Sequence, residues 1–190
     1  MLTVYLTSVA NSTASPDLDD LLDRVRQGDR DALQRLYEAI SKEVYGYALS
    51  VVQNEHDAQD VLQDSFLSIV HGAKTYRPQG KAKAWIYTIV HNRCVQVLRT
   101  RQKTTPLSEE EEQGWIDDRI PCTTEDRLAL SACMNRLSDE ERQIVVLHAV
   151  SGFRHREIAQ ILHLALPTVL SKYSRALKKL RVILEKGDTA

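Results

Sequence analysis

Apolar residues recur at intervals of three and four along most of this chain, the period of a helix with one face turned inward. Leu18, Leu21, Leu22 and Val25 form the first stripe. With Ser15 placed to cap it and Pro16 suited to a first turn, the stripe predicts a helix from about Pro16 to Gly28. Asp29 precedes a longer stripe of Leu33, Leu36, Tyr37, Ile40, Val44, Tyr47, Ala48 and Val51. Asn54 opens a third helix, and Pro78 and Gly80 interrupt the pattern in the loop KTYRPQGK. A fourth helix carries Ala82, Trp85, Ile86, Ile89, Val90, Cys94, Val97 and Leu98 on one side. Four such helices can close a bundle.

The pattern then lapses over TTPLSEEEEQGWIDDRIPCTT, which has two prolines, a glycine and four consecutive glutamates. A segment of this composition buries too little apolar area to offset its ordering entropy, so a linker is expected. Periodicity returns at Leu128, Leu130, Cys133, Met134 and Leu137. Ser138 and Glu141 have the spacing of a capping box. Behind them Ile144, Val145, Leu147 and His148 lie on a helix that stops at Gly152. Arg154 to Leu162 reads as a short helix with Ile158, Ile161 and Leu162 inward, and a turn from His163 to Leu166 leads to Pro167 at the first position of a last helix. That helix turns Val169, Tyr173, Ala176, Leu177, Leu180 and Leu184 to one side. The opposite face carries Thr168, Ser171, Lys172, Arg175 and Lys178. The fold class expected is all-α: a four-helix domain at 15–103 and a helix-turn-helix domain at 125–186, joined by an acidic flexible linker at 104–124 and preceded by a loose arm at 1–14.

Charge sharpens this division. The net charge of -1 over 190 residues hides blocks of opposite sign. Residues 17–64 hold 12 acidic groups against 5 basic ones, 65–103 hold 8 basic groups and no acid, 104–126 hold 8 acids and one base, and 127–190 hold 11 bases and 6 acids. Such segregation points to two kinds of partner. No apolar run approaches the roughly 18 residues of a membrane span, so no membrane insertion is expected and the protein should be soluble and cytoplasmic. Cys94, Cys122 and Cys133 lack metal-ligand or paired spacing, which excludes a disulfide framework or zinc knuckle. No Ser, His and Asp arrangement reads as a nucleophile motif, and His56 with its neighbouring aspartates lacks the ligand pairs of a carboxylate bundle. No enzymatic activity, metal, cofactor or small-molecule substrate is expected.

Three surfaces remain. On the third helix Asp57, Asp60 and Asp64 share one side, away from Ala58, Val61, Leu62 and Ile69, and form an acidic ridge. The fourth helix and its leading loop are basic and interleaved with rings: Lys74, Arg77, Lys81, Lys83, Arg93 and Arg99, with Tyr76, Trp85, Tyr87 and His91. Cations follow a phosphate backbone, and rings offer unstacked bases a surface. Arg93 falls within the apolar arc of its helix and so needs a carboxylate or carbonyl partner. In the last domain Arg154 and Arg156 precede Thr168, Ser171, Lys172, Ser174, Arg175 and Lys178, a mixture able to grip phosphates and reach base edges in a major groove.

The segments DALQRLYEAISKEVYGYALSVVQNEHDAQDVLQDSFLSIV, AWIYTIVHNRCVQVLR, LSDEERQIVVLHAVSGFRHREIAQIL and TVLSKYSRALKKL resemble the two conserved domains of extracytoplasmic-function sigma factors of bacterial RNA polymerase, with Asp57, Asp60, Gln63 and Phe66 as the most specific element. The resemblance implies that Asp57, Asp60, Gln63, Asp64 and Phe66 meet core RNA polymerase. It implies that the first domain opens the -10 element, with Asn92 helping to capture a flipped base. The second domain would read the -35 element. It further implies promoter DNA and an anti-sigma factor as partners, and a linker that threads toward the polymerase cleft, where Glu109 to Glu112 could mimic nucleic acid. Departures from the family pattern include Ala82 for a usual Phe, Gln96 for a common Asp, His163 and Pro167 where Gly is frequent, and Leu170 in place of a cation. A plain helix-turn-helix regulator acting without polymerase is the alternative. It leaves the acidic ridge and the basic fourth helix without a role.

Overall fold

The computed structural model describes residues 16–104 and 132–187, and every regular element among them is helical. The first domain contains α1 (Leu18–Arg26), α2 (Arg30–Val52), α3 (Glu55–Ala73) and α4 (Ala82–Thr104). The second contains a helical turn at 132–135, then α5 (Asp139–Ala149), α6 (His155–Ile161) and α7 (Leu166–Gly187). The expected arm at 1–14, nearly all of the expected linker, and Leu128 and Leu130 lie outside the described residues.

Short-range caps set the helix starts. Asp17, rather than Ser15, begins α1, its Oδ1 accepting from the amides of Asp19 at 2.9 Å and Asp20 at 3.3 Å. A carboxylate there satisfies orphan amides and also meets the positive end of the helix, which a serine hydroxyl cannot do as well. Pro16 therefore stays outside the helix. Asp29, Asn54 and Ser138 cap α2, α3 and α5 as their sequence contexts predict, the last with the reciprocal Glu141 bond complete. α7 begins one residue earlier than expected, at Leu166, so that Pro167 is the second helical residue; its missing N–H still falls in the turn that has no internal acceptor.

Leu36, Ile40, Val44, Tyr47, Ala48 and Val51 form the spine of the first core, packed by Leu22, Val61, Ile69, Ile86, Val90 and Cys94. Tyr37 departs from the predicted stripe: it is 44% exposed, with its ring 4.8 Å from that of Phe66. In the second domain Ile144, Leu147, Ile158, Ile161, Val169 and Ala176 are buried, whereas Leu177, expected inward, is exposed because it lies about 100 degrees around the helix from Ala176.

The two domains are docked, α5 on the end of α2 and α6 against α4. The last carbonyls of a helix have no partner within it, and α2 has no basic residue in its final turn. Arginines from two other helices serve instead: Arg142 of α5 donates Nε to the Ser50 carbonyl at 3.0 Å, and Arg101 of α4 donates Nη1 to that of Val52 at 3.2 Å. Gln53 ends α2 in the left-handed conformation, and its side-chain amide lies against the Arg142 guanidinium, which it satisfies when the amide is oriented with its oxygen toward Nη1, 2.8 Å away. Arg142 is 3% exposed and also pairs with Asp139. Beside this cap, Ser151 donates to the Tyr87 hydroxyl at 3.1 Å, Lys83 donates to the Ser151 carbonyl at 3.0 Å, and the Phe153 ring meets that of Tyr87 edge-on at 4.8 Å.

Candidate nucleic-acid and polymerase interfaces

On α3 the residues that pack inward and those that face solvent separate cleanly. Ala58, Val61, Leu62 and Ile69 are buried, while Asp60, Gln63 and Asp64 are exposed on the opposite side. Two expected members of this surface do different work. Asp57 forms an ion pair with Arg101 Nε at 3.0 Å and so ties α3 to α4, and Phe66 is core, only 8% exposed. Sequence reasoning missed Leu67, which is 60% exposed and extends the row of Asp60 and Asp64 by one turn. The surface is thus a carboxylate row with an apolar end.

The basic loop and helix divide into exposed and covered parts. Lys74, Arg77, Lys81, Asn92 and Arg99 are exposed. Arg93 finds its partners not in a carboxylate or backbone carbonyl but in the Ser68 hydroxyl at 2.9 Å and the Gln96 side-chain Oε1 at 3.2 Å. Lys83 pairs with Glu43 at 2.9 Å, and Tyr87 and His91 are buried beneath the second domain. His91 Nδ1 lies 3.2 Å from the Tyr47 hydroxyl; burial, with a lesser contribution from His163, lowers its pKa from 6.5 to about 4. Burial also pushes the Cys94 thiol up to about 12, so this cysteine is an inert core residue. Between the domains His91, Asn92, Gln96, Arg99, Leu162 and His163 line an open cleft.

The loop before α4 is held from a distance. Asp19 on α1 accepts from the Tyr76 hydroxyl at 2.7 Å and from the amides of Gln79 at 3.0 Å, Gly80 at 3.2 Å and Ala82 at 3.3 Å. Burial pushes this carboxyl up, but the four hydrogen bonds together outweigh it and hold the pKa below the usual value. Tyr76 in turn packs against Trp85, the rings tilted by 45° with centres 4.8 Å apart.

In the second domain α6, a four-residue turn and α7 form the expected helix-turn-helix. The Leu164 amide bonds back to the Ala159 carbonyl at 3.0 Å and that of His163 to Gln160 at 3.3 Å, a Schellman closure with His163 in the left-handed conformation. Arg154, Arg156, Ser171, Ser174, Arg175 and Lys178 are exposed, and Thr168 is half-buried. Lys172 pairs with Glu140 at 2.5 Å, bracing α7 against α5. Leu170 stands 47% exposed among the polar residues of α7. His148, His155 and Tyr173 form a ring cluster, the two imidazoles stacked 4.4 Å apart, which no residue spacing revealed. Among the described residues no group of three or more His, Cys, Asp or Glu is placed to hold a metal, and no helix is long and apolar enough to cross a membrane.

Comparison with known proteins matches two successive stretches of the chain to family regions. Residues 36–104 match the Sigma-70 region 2 family and residues 127–180 the Sigma-70 region 4 family. The chain is 31% identical over 157 residues to the ECF RNA polymerase sigma factor SigM of Mycobacterium tuberculosis, covering 83% of this chain and 79% of that one. It is 26% identical over 178 residues to SigK of Mycobacterium ulcerans, covering 90% and 95%. The fold is that of CnrH in complex with the cytosolic domain of CnrY, with a TM-score of 0.66 at 22% identity over 88% of this chain and 97% of that one. It is also that of the sigma factor RpoE bound to the anti-sigma factor NepR from Bartonella quintana, with a TM-score of 0.69 at 22% identity over 80% and 96%. With both family regions in order along the chain and a close relative matched over most of its length, the protein belongs to the extracytoplasmic-function sigma factors of the sigma-70 family.

Proposed function

We propose that this protein is a transcription initiation factor that binds core RNA polymerase and directs it to promoters, reading a -35 element with α7 and a -10 element with α4 and its leading loop, and promoting strand opening. The observation that carries this reading is the exposed row of Asp60, Gln63, Asp64 and Leu67 on a chain that also presents two separate basic surfaces. A regulator that bound DNA unaided would have no use for that row. Tethering two weak reading domains to one large enzyme makes the second DNA contact intramolecular, so selectivity comes from their spacing.

No step of this role needs a catalytic group: binding energy for the separated strand offsets unpairing, a few kcal/mol for each flipped base. We therefore read the chain as a non-enzymatic factor working in the cytoplasm, where its polymerase and DNA reside. Two solved structures of the same fold each hold a second protein, the cytosolic domain of CnrY in one and the anti-sigma factor NepR in the other. An anti-sigma factor is the corresponding partner here.

Charge reversal tests the reading. The double variant Asp60→Lys, Asp64→Lys should lose co-purification with bacterial core RNA polymerase while melting like the parent, because both side chains are exposed. Transcription of a pool of genomic fragments by holoenzyme should yield a set of promoters that disappears with the same variant. Undiminished assembly by the reversed row would overturn the proposal.

A further inference from the structure

The loop between α3 and α4 has no regular structure of its own, contains Pro78 with no N–H, and places Gly80 at φ +68. Its start is tied to the end of α3 by the amides of Thr75 and Tyr76, and from Tyr76 onward one distant side chain gathers its donors. Asp19 Oδ1 takes the Tyr76 hydroxyl and two successive amides, and Oδ2 takes the first amide of α4, across 57 to 63 residues of sequence. Asp19 is itself anchored, its own amide donating to the Asp17 cap at 2.9 Å. The residues so held flank Arg77 and Lys81, both exposed, and their register against Asn92 on α4 follows from where the carboxylate pins the loop.

We propose that Asp19 is a positioning residue for promoter opening: it touches no DNA, and it holds the 76–82 segment in the conformation that presents Arg77 and Lys81 to the -10 strand. The inference rests on the reading of this loop as a DNA-contacting element. A loop ordered before the strand arrives spares the complex the entropy of ordering it afterwards, so releasing it should slow opening rather than weaken assembly.

The experiment uses full-length protein reconstituted with core polymerase on a promoter recovered from the genomic pool, with 2-aminopurine in the -10 element to report unstacking. Asp19→Ala should open this template about 10-fold more slowly, with unchanged holoenzyme affinity, while the amides of Gln79, Gly80 and Ala82 exchange faster with solvent. Asp19→Asn, which keeps an acceptor oxygen, should recover part of the rate. Tyr76→Phe removes one donor while keeping the ring packed on Trp85, and should slow opening less and in the same direction even if the alanine variant folds poorly. Faster amide exchange with an unchanged opening rate would overturn the proposal, as would unchanged exchange. The double variant Arg77→Ala, Lys81→Ala separates the two ideas: if opening survives it, the loop does not read DNA, whatever Asp19 does.

Discussion

The Tyr47 hydroxyl and His91 Nδ1 meet at 3.2 Å where α2, α4 and the second domain converge. Both groups are buried, and the neutral imidazole in its Nε2–H tautomer would accept from the phenol there. Because burial holds His91 near pKa 4 against an ordinary 6.5, the unfolded or undocked chain takes up its proton first as pH falls. Stability should therefore be complete above pH 6.5, decline between 6.5 and about 4, and level off below, with at most about 3 kcal/mol at stake. Burial lowers His155 in the same direction, so the informative quantity is a difference. Denaturant unfolding of His91→Gln should show a shallower loss between pH 7 and 5 than the parent; equal slopes would show that His91 is not the titrating group.

Arg142 is the only side chain seen on both the Ser50 carbonyl and the Gln53 amide among the described residues. Arg142→Ala leaves the buried Ser50 carbonyl without its side-chain donor and the half-buried Gln53 amide without its guanidinium, a loss of about 2 kcal/mol from the docking of the domains. Small-angle scattering should report a larger radius of gyration for the variant. Far-UV circular dichroism should stay the same, since each domain keeps its own core.

Gly72 lies within α3 beneath Trp85, and a Cβ added there would sit 2.9 Å from the indole Cζ2. Alanine ordinarily gains about 1 kcal/mol over glycine inside a helix. Here the rigid ring, wedged against Tyr76, must move, and overpacking of that kind costs about 1–3 kcal/mol. Gly72→Ala should lower the melting temperature; an increase would mean that the indole yields freely.

Leu170 occupies an exposed position on the face of α7 assigned to DNA. Leu170→Lys should add about one phosphate contact, steepening the salt dependence of duplex binding by about 0.9 in log K against log salt. Fluorescence anisotropy over a salt series measures the slope directly. An unchanged slope would place this face of α7 away from the DNA backbone.

Local chemistry was readable from the sequence, and long-range chemistry was not. The caps at Asp29, Asn54 and Ser138, the inward stripe of α2 and the outward aspartates of α3 all follow from residues a few positions apart. The cap of α1 is Asp17, two residues beyond the serine that the pattern suggests, because a carboxylate there meets both orphan amides and the positive helix end. Asp57 and Phe66 look alike in sequence to their exposed neighbours, yet one is claimed by Arg101 and the other by Tyr37, partners 44 and 29 positions away. The same holds for Tyr87 and His91: aromatic residues on a basic helix read as a stacking platform, and only the docked second domain shows that they are covered. Asp19 carried no signal, being one of several carboxylates on α1 until the fold brings Tyr76 to it.

That covering has a thermodynamic corollary. Any partner that needs Tyr87 or His91 can bind only the share of molecules in which the domains have come apart, and its apparent affinity is diluted by that share. Each increment of free energy that favours docking, from the Arg142 cap to the Tyr87 and Phe153 rings, therefore weakens such a partner by the corresponding Boltzmann factor, without any change at the contact itself.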